Sequence, residues 1–175
     1  MNPPNNPRVA EADLEDGLAA FLEATGLFHV YRQVVGRALW TACPAAGWVR
    51  CDLLLSPSKR GLRAGWVHGA LIIEVKRAGE PIGPAVSQMM DYLRCSWLLP
   101  PNRVAVMASW AFVYPADRQH GPMASLMAQN RVGTAGMQAG ELTLCCGEQR
   151  VLTVCDGGVL RVGEVRIGRR FGSRS

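Results

Sequence analysis

The stretch Ala70-Leu71-Ile72-Ile73-Glu74-Val75-Lys76 decides how this chain is interpreted. Its apolar residues are continuous rather than alternating, which predicts a strand, from Trp66 to Val75, that is covered on both faces. Because side chains alternate along a strand, Glu74 and Lys76 should point to the same side. A simple ion pair on one face is the alternative reading of two such residues. Charged groups at the end of a buried strand nevertheless indicate a site.

A second apolar stretch, Arg50-Cys51-Asp52-Leu53-Leu54-Leu55, carries another carboxylate and belongs to a strand predicted from Trp48 to Leu55. Two carboxylates in neighbouring apolar strands are costly to bury without a compensating cation. Asp52 and Glu74 supply the oxygen ligands that Mg²⁺ prefers, and the carbonyl of Val75 lies between Glu74 and Lys76, where it could face the ion. A lysine beside such an ion can polarise an attacking water, and a bound divalent ion supports phosphodiester hydrolysis.

Two helices flank these strands in the sequence. The upstream helix is predicted from Glu11 to about Thr25, and its inward face offers Glu15, or one turn earlier Glu11, as a further carboxylate. A solvated glutamate is the third possibility there. The downstream helix is predicted from Pro84 to about Leu98, and it carries Gln88 and Tyr92 at positions i and i+4, which lie on one face.

The order of elements is α-β-β-β-α-β, with strands at Phe28 to Val35 and Val104 to Tyr114 completing the set. It predicts an α/β fold with a central mixed sheet flanked by helices. A short helix from Met123 to Arg131 and several β runs from Glu141 onward predict a C-terminal β extension. We expect a disordered arm over residues 1–9, a single domain over 10–165 and a basic flexible tail over 166–175.

Composition narrows the function classes. The 175 residues carry a net charge of +5, which suits a polyanionic partner, and 17 of the 19 basic residues are arginine. Apolar runs are too short for a membrane span, and the first residues do not form a signal peptide, so we expect a cytoplasmic protein without a membrane partner. The six cysteines lack zinc-site spacing and are expected to be reduced, and no phosphate-loop motif is present.

These residues together resemble the PD-(D/E)xK superfamily of nucleases, over roughly residues 11 to 114. The resemblance implies a restriction-endonuclease-like core with Asp52, Glu74 and Lys76 as catalytic residues. It also implies Mg²⁺ or Mn²⁺ as cofactor, with Glu15 as a helical ligand beside Asp52, Glu74 and the Val75 carbonyl. The proline that usually precedes the first acid is replaced by Cys51.

Gln88 and Tyr92 resemble the Q-x-x-x-Y motif of the branch that contains RecB-like nucleases and phage exonucleases. That branch implies that both residues touch the substrate backbone, and the nearby Arg77 and Arg94 are expected to do the same. The expected function is metal-dependent hydrolysis of DNA in repair or recombination, with little sequence specificity. A Holliday-junction-type resolvase and a non-catalytic nucleic-acid-binding protein are the alternatives, and a homodimer stays open.

Overall fold

The computed structural model describes residues 10–39, 47–77, 80–115 and 123–163. Its helices are α1 (Glu11–Thr25), α2 (Lys59–Arg63), α3 (Ile82–Tyr92) and α4 (Ala124–Gln129). Its strands are β1 (Phe28–Ala38), β2 (Trp48–Pro57), β3 (Ala70–Val75), β4 (Cys95–Leu99), β5 (Val104–Tyr114), β6 (Val132–Gln138), β7 (Glu141–Cys146), β8 (Gln149–Cys155) and β9 (Val159–Val162). The arm and the tail expected at the two ends lie outside the described residues.

All nine strands join one mixed sheet in the order β3-β2-β1-β4-β5-β6-β7-β8-β9, and β3 pairs with β5 as well. Strands β1, β2 and β3 are antiparallel neighbours, whereas β3 and β5 run parallel and are connected through α3. The series α1-β1-β2-β3-α3-β5 therefore reproduces the expected order, with α2 and β4 inserted. The mixed α/β class predicted from the sequence is confirmed.

The strand β3 is covered on both faces, as its continuous apolar run predicts. All six of its residues are buried. Ile73 packs in a cluster with Leu18 of α1, whereas its neighbour Ile72 packs in a second cluster with Val86 of α3. One helix therefore covers each side of the strand that ends in Glu74.

The C-terminal extension continues the same sheet. Strand β6 runs parallel to β5, and β7, β8 and β9 follow as an antiparallel meander. The turn at Asp156-Gly157-Gly158 joins β8 to β9, and both glycines have positive φ angles of 77° and 80°, which glycine adopts readily in tight hairpin turns. The five described cysteines are free, and four of them are buried. No helix of the described residues is long and apolar enough to cross a membrane.

The downstream helix is shorter than predicted. It ends at Tyr92 rather than near Leu98, and Cys95–Leu99 forms the strand β4. This strand pairs with β1 and β5, and the fully buried Trp97 donates a hydrogen bond from its indole N–H to the carbonyl of Tyr92. Pairing with one strand on each side outweighs the local helical pattern of Cys95–Leu99.

The segment between β2 and β3 also differs from the sequence prediction. Strand β3 begins at Ala70 rather than Trp66, because the buried Trp66 closes a turn by donating its indole N–H to the carbonyl of Gly69. The short helix α2 precedes this turn, and its N-terminus is capped by the Ser58 hydroxyl, which accepts from the Gly61 N–H.

We expect the Gly36→Ala variant to destabilise the fold by about 1–3 kcal/mol, because the added methyl overpacks a filled site. A Cβ at Gly36 would lie 2.6 Å from the Trp97 ring, where β1 meets β4. Gly17→Ala is the matched control, since a Cβ there has nothing within 4 Å. Urea unfolding measures both variants, and equal stability of Gly36→Ala and wild type would contradict the prediction.

Candidate functional site

Strands β2 and β3 bring Asp52 against the residues that follow the apolar run. The antiparallel ladder pairs Leu53 with Ile73, which sets Asp52 level with the end of β3. There the Oδ2 atom of Asp52 accepts a hydrogen bond of 2.8 Å from the backbone N–H of Val75. The Asp52 carboxylate on β2 is thus fixed beside Glu74 and Lys76, the residues on either side of Val75, as the sequence predicts.

Glu74 is a buried carboxylate that is only half satisfied. Its side chain is 5% exposed, its Oε1 accepts a 2.8 Å hydrogen bond from the Lys76 ammonium, and its buried Oε2 has no hydrogen-bond partner among the described residues. Burial raises the pKa of Glu74 to about 7; Lys76 opposes this rise, and the charge of Asp52 adds to it. An unpartnered buried oxygen is costly, so the site suits a proton or a cation at Oε2.

Lys76 stays a charged ammonium at this site. Partial burial alone would lower the pKa of Lys76, but the hydrogen bond and charge of Glu74 outweigh burial, so the pKa is raised. The charge of Asp52 acts in the same direction. The side chain is 24% exposed, which leaves the ammonium within reach of solvent and of a bound anion.

The two helical glutamates have different surroundings. Glu15 is buried and accepts hydrogen bonds from Arg32 Nε at 3.3 Å and from Gln33 Nε2 at 2.9 Å. Glu11 is half-buried, and its charge raises the pKa of Lys76. Within the part of the chain that the structure describes, no three His, Cys, Asp or Glu side chains are grouped to share one ion. Glu15 is linked to Asp52 through Gln33, which donates to both carboxylates.

Gln33 is a site residue that sequence reasoning missed. It donates from Nε2 to Asp52 Oδ1 at 3.3 Å as well as to Glu15, so one amide joins α1 to β2. Its φ of 51° is uncommon for a residue other than glycine. Arg32, its neighbour, also bonds α1 through Glu15 and Asp16, whereas adjacent residues of a regular strand face opposite sides.

Gln88 and Tyr92 meet each other, as their spacing predicts. Gln88 Nε2 donates to the Tyr92 hydroxyl at 2.6 Å, and that hydroxyl donates to the Arg50 carbonyl at 2.5 Å. Burial raises the pKa of Tyr92, and the charge of Glu74 adds to the rise. Tyr92 thus anchors α3 to β2, while Gln88 is the half-buried member of the pair.

The two arginines expected at the site lie in different places. Arg77 follows Lys76 directly and is exposed at the edge of the site. Arg94 is also exposed, two residues after the end of α3, and its backbone carbonyl accepts from the N–H of Leu39, the residue that follows β1.

Comparison of the chain with protein-family models, curated proteins and solved structures finds no match. What the site can bind is therefore inferred from the chemistry of its side chains, Asp52, Glu74, Lys76 and Gln33. It combines two fixed carboxylates, one unsatisfied oxygen and one fixed positive charge at the end of a buried strand. Such a set can bind a divalent cation together with an anionic substrate.

Proposed function

We propose that this protein is a Mg²⁺- or Mn²⁺-dependent nuclease that hydrolyses phosphodiester bonds of DNA, built on a restriction-endonuclease-like core. The observation that carries the proposal is the buried, unpartnered Oε2 of Glu74, next to Asp52 and paired with Lys76. The series α1-β1-β2-β3-α3-β5, with β3 parallel to β5, supports it further. DNA repair or recombination is the corresponding cellular role.

The residues present fit a divalent cation. Asp52 and Glu74 would hold it, with the Val75 carbonyl as a third oxygen, and Glu15 would act on the same cluster through Gln33. When bound, the ion supplies Lewis-acid stabilisation of phosphate charge and lowers the pKa of a water. The backbone N–H of Val75 fixes one oxygen of Asp52, and Gln33 binds the other, so the carboxylate is oriented before any ligand arrives.

Lys76 has two tasks in this proposal. Its ammonium orients the attacking water by donating a hydrogen bond, and its charge stabilises the negative charge that develops on the phosphate. The ion pair with Glu74 limits the positions that the long side chain can adopt. Arginine could not replace it without loss, because a planar guanidinium has a different shape and is more weakly hydrated.

The substrate assignment rests on charge and on exposed donors. The chain carries a net charge of +5, the exposed Arg77 directly follows Lys76, and Gln88 on α3 contacts Tyr92. We expect these groups to contact phosphates rather than base edges, so recognition should depend little on sequence. Arg94, exposed just after α3, would add a further phosphate contact.

A cleavage assay tests the proposed function. Labelled linear duplex, single-stranded and four-way-junction DNA, and a matched RNA, are incubated with Mg²⁺, Mn²⁺ or EDTA. We expect cleavage of DNA with either metal and none with EDTA, and preference for the junction would instead assign a resolvase. An identically purified Asp52→Asn protein excludes a contaminating nuclease. Nucleic-acid binding without cleavage under every condition would assign the non-catalytic alternative.

A salt titration tests how DNA is held. Removal of one phosphate contact should reduce the slope of log K against log salt by about 0.7–0.9. Deleting residues 166–175, which contain four arginines, should therefore flatten the slope, while the cleavage rate at saturating DNA stays near wild type. Binding is measured on two unrelated sequences, and a strong preference for one sequence or an unchanged slope would contradict phosphate-led binding.

A further inference from the structure

The outward face of the β1–β2 pair forms a track that starts at the candidate site. Alternate residues of β2 run outward from Asp52 through Arg50 to Trp48, and Val35 and Arg37 lie directly opposite the last two on β1. Arg50, Trp48, Val35 and Arg37 are all exposed. The intervening residues pack inward, with Val34, Gly36 and Cys51 buried. Exposed cationic and aromatic side chains thus continue about four residues, or roughly 13 Å, from the carboxylates.

A groove of about 430 Å³ lies beside this track. Its walls include Gln33, Val35, Trp48, Pro100, Pro101 and Arg103. It begins at the site itself, because Gln33 also binds Asp52. Trp48 is 52% exposed, although the other described tryptophans are 5% exposed or less. An indole left in solvent beside arginines is a stacking surface for a planar group next to phosphates.

We propose that this groove binds an unpaired base of single-stranded DNA, and that a single strand or a frayed end is the substrate class. The inference rests on the proposed nuclease function for its meaning, but the binding itself needs no catalysis. Trp48 stacks on the base between walls formed by Val35 and the prolines, and Arg50 and Arg103 contact the adjoining phosphates. A paired base inside a duplex has no free face to offer Trp48.

Other features of the groove agree with this occupant. Arg32 lines it too, but its guanidinium is already bound to Glu15 and Asp16, so it is not a donor for the strand. Arg103 and Arg50 make no side-chain ion pair with another described residue. The groove therefore combines an apolar floor with uncommitted positive charge, which suits a nucleic acid better than an apolar peptide.

Binding in EDTA tests the proposal independently of cleavage. Fluorescence anisotropy is measured with a labelled single strand and with the same sequence as a blunt duplex, using the full chain. Trp48→Ala should weaken binding of the single strand by roughly 5- to 150-fold, and Trp48→Phe should restore most of it. Duplex binding should change less than about twofold. Val159→Ala, an equally exposed apolar residue on β9, is the control.

A strand that lacks bases separates stacking from a general effect of the substitution. Wild type should bind an abasic strand as weakly as Trp48→Ala binds the normal strand, and Trp48→Ala should not distinguish the two. Arg103→Ala should lower the salt slope by about 0.7, and Arg63→Ala on α2 should leave it unchanged. Far-ultraviolet circular dichroism verifies that the variants are folded.

Several outcomes would overturn the groove assignment. One is equal binding of the single strand by wild type and Trp48→Ala. Another is a loss of affinity in Trp48→Ala that is as large for the duplex as for the single strand. The third is failure of wild type to bind any single strand. A change of dimerisation in Trp48→Ala without a change of binding would instead assign the groove to a second copy. If wild type cleaves but the Trp48 effect is absent, only the groove proposal fails. If the effect is present without cleavage, only the nuclease proposal fails.

Discussion

Cleavage should fall at least about a thousandfold in the Lys76→Ala and Asp52→Asn variants, while both stay folded. Lys76 provides the fixed positive charge at the site, and its ammonium lies 2.8 Å from Glu74 Oε1. Asp52 is the carboxylate that bridges Gln33 and the Val75 N–H. Both act on charge that appears in the transition state, so the loss should be in the rate at saturating DNA rather than in affinity.

The chain provides a matched control for each variant. Lys59 is the only other lysine, and it is exposed at the start of α2. Asp156 lies in the β8–β9 turn, where an asparagine oxygen could still accept from the Gly157 N–H. Single-turnover rates of Lys59→Ala and Asp156→Asn should match wild type. Rates of Lys76→Ala or Asp52→Asn within about threefold of wild type would remove the assigned roles, since acid–base and electrostatic groups contribute 10²-fold or more.

The sequence predicted the centre of the molecule well because local and tertiary preferences agree there. The run from Ala70 to Ile73 has apolar residues on both faces, so it was predicted as a strand covered on both sides, and α1 and α3 do cover it. The positions of Glu74 and Lys76 on one face followed from strand alternation. Helix α1 was predicted to end at about Thr25, and it does end there, followed by Gly26 with a left-handed φ of 65°.

The predictions failed where long-range pairing decides the structure. Cys95–Leu99 has apolar residues that fit a helix as well as a strand, and pairing with β1 and β5 makes it a strand. The partners are about 60 residues upstream and 5 to 11 residues downstream, so no local window contains both pairings. The glycine at position 36 reflects this contact in the sequence, because only a residue without a side chain lets Trp97 pack against β1.

The candidate site was likewise predictable in part. The types and spacing of Asp52, Glu74 and Lys76 were sufficient to place them together, because two neighbouring strands fix their positions. The role of Gln33 could not be predicted from the sequence, because its contacts with Glu15 and Asp52 depend on a φ of 51°. Nothing in the neighbouring residues indicates that backbone conformation. The hydrogen bond from the Tyr92 hydroxyl to the Arg50 carbonyl, which joins α3 to β2, could not be predicted from the spacing of Gln88 and Tyr92.

The second large effect concerns Glu74→Gln, which should stabilise the metal-free protein at alkaline pH. The ordinary pKa of 4.5 is raised to about 7 in the folded protein, chiefly by burial. The folded state therefore prefers the protonated carboxyl, and its stabilising effect is complete below pH 4.5 and is lost as the pH rises through 7. Wild type should lose about 2–3 kcal/mol of unfolding free energy from this group between pH 4.5 and pH 8, and the variant should not.

Urea unfolding in EDTA at pH 4.5, 6 and 8 measures this difference, with Glu23→Gln, an exposed glutamate of α1, as the control. Saturating Mn²⁺ at pH 8 should then reverse the order of stability, so that wild type becomes more stable than Glu74→Gln. At a hundred times Kd, an ion that binds only the folded state adds about 2.7 kcal/mol to wild type, and the variant, lacking the ligand, should gain much less. If the unfolding free energy of Glu74→Gln fell with pH as much as that of wild type, ionisation of Glu74 would not be what destabilises the fold. A variant with an unchanged response to Mn²⁺ would show that Glu74 is not a ligand, because the proposed cation is coordinated by its unpartnered Oε2.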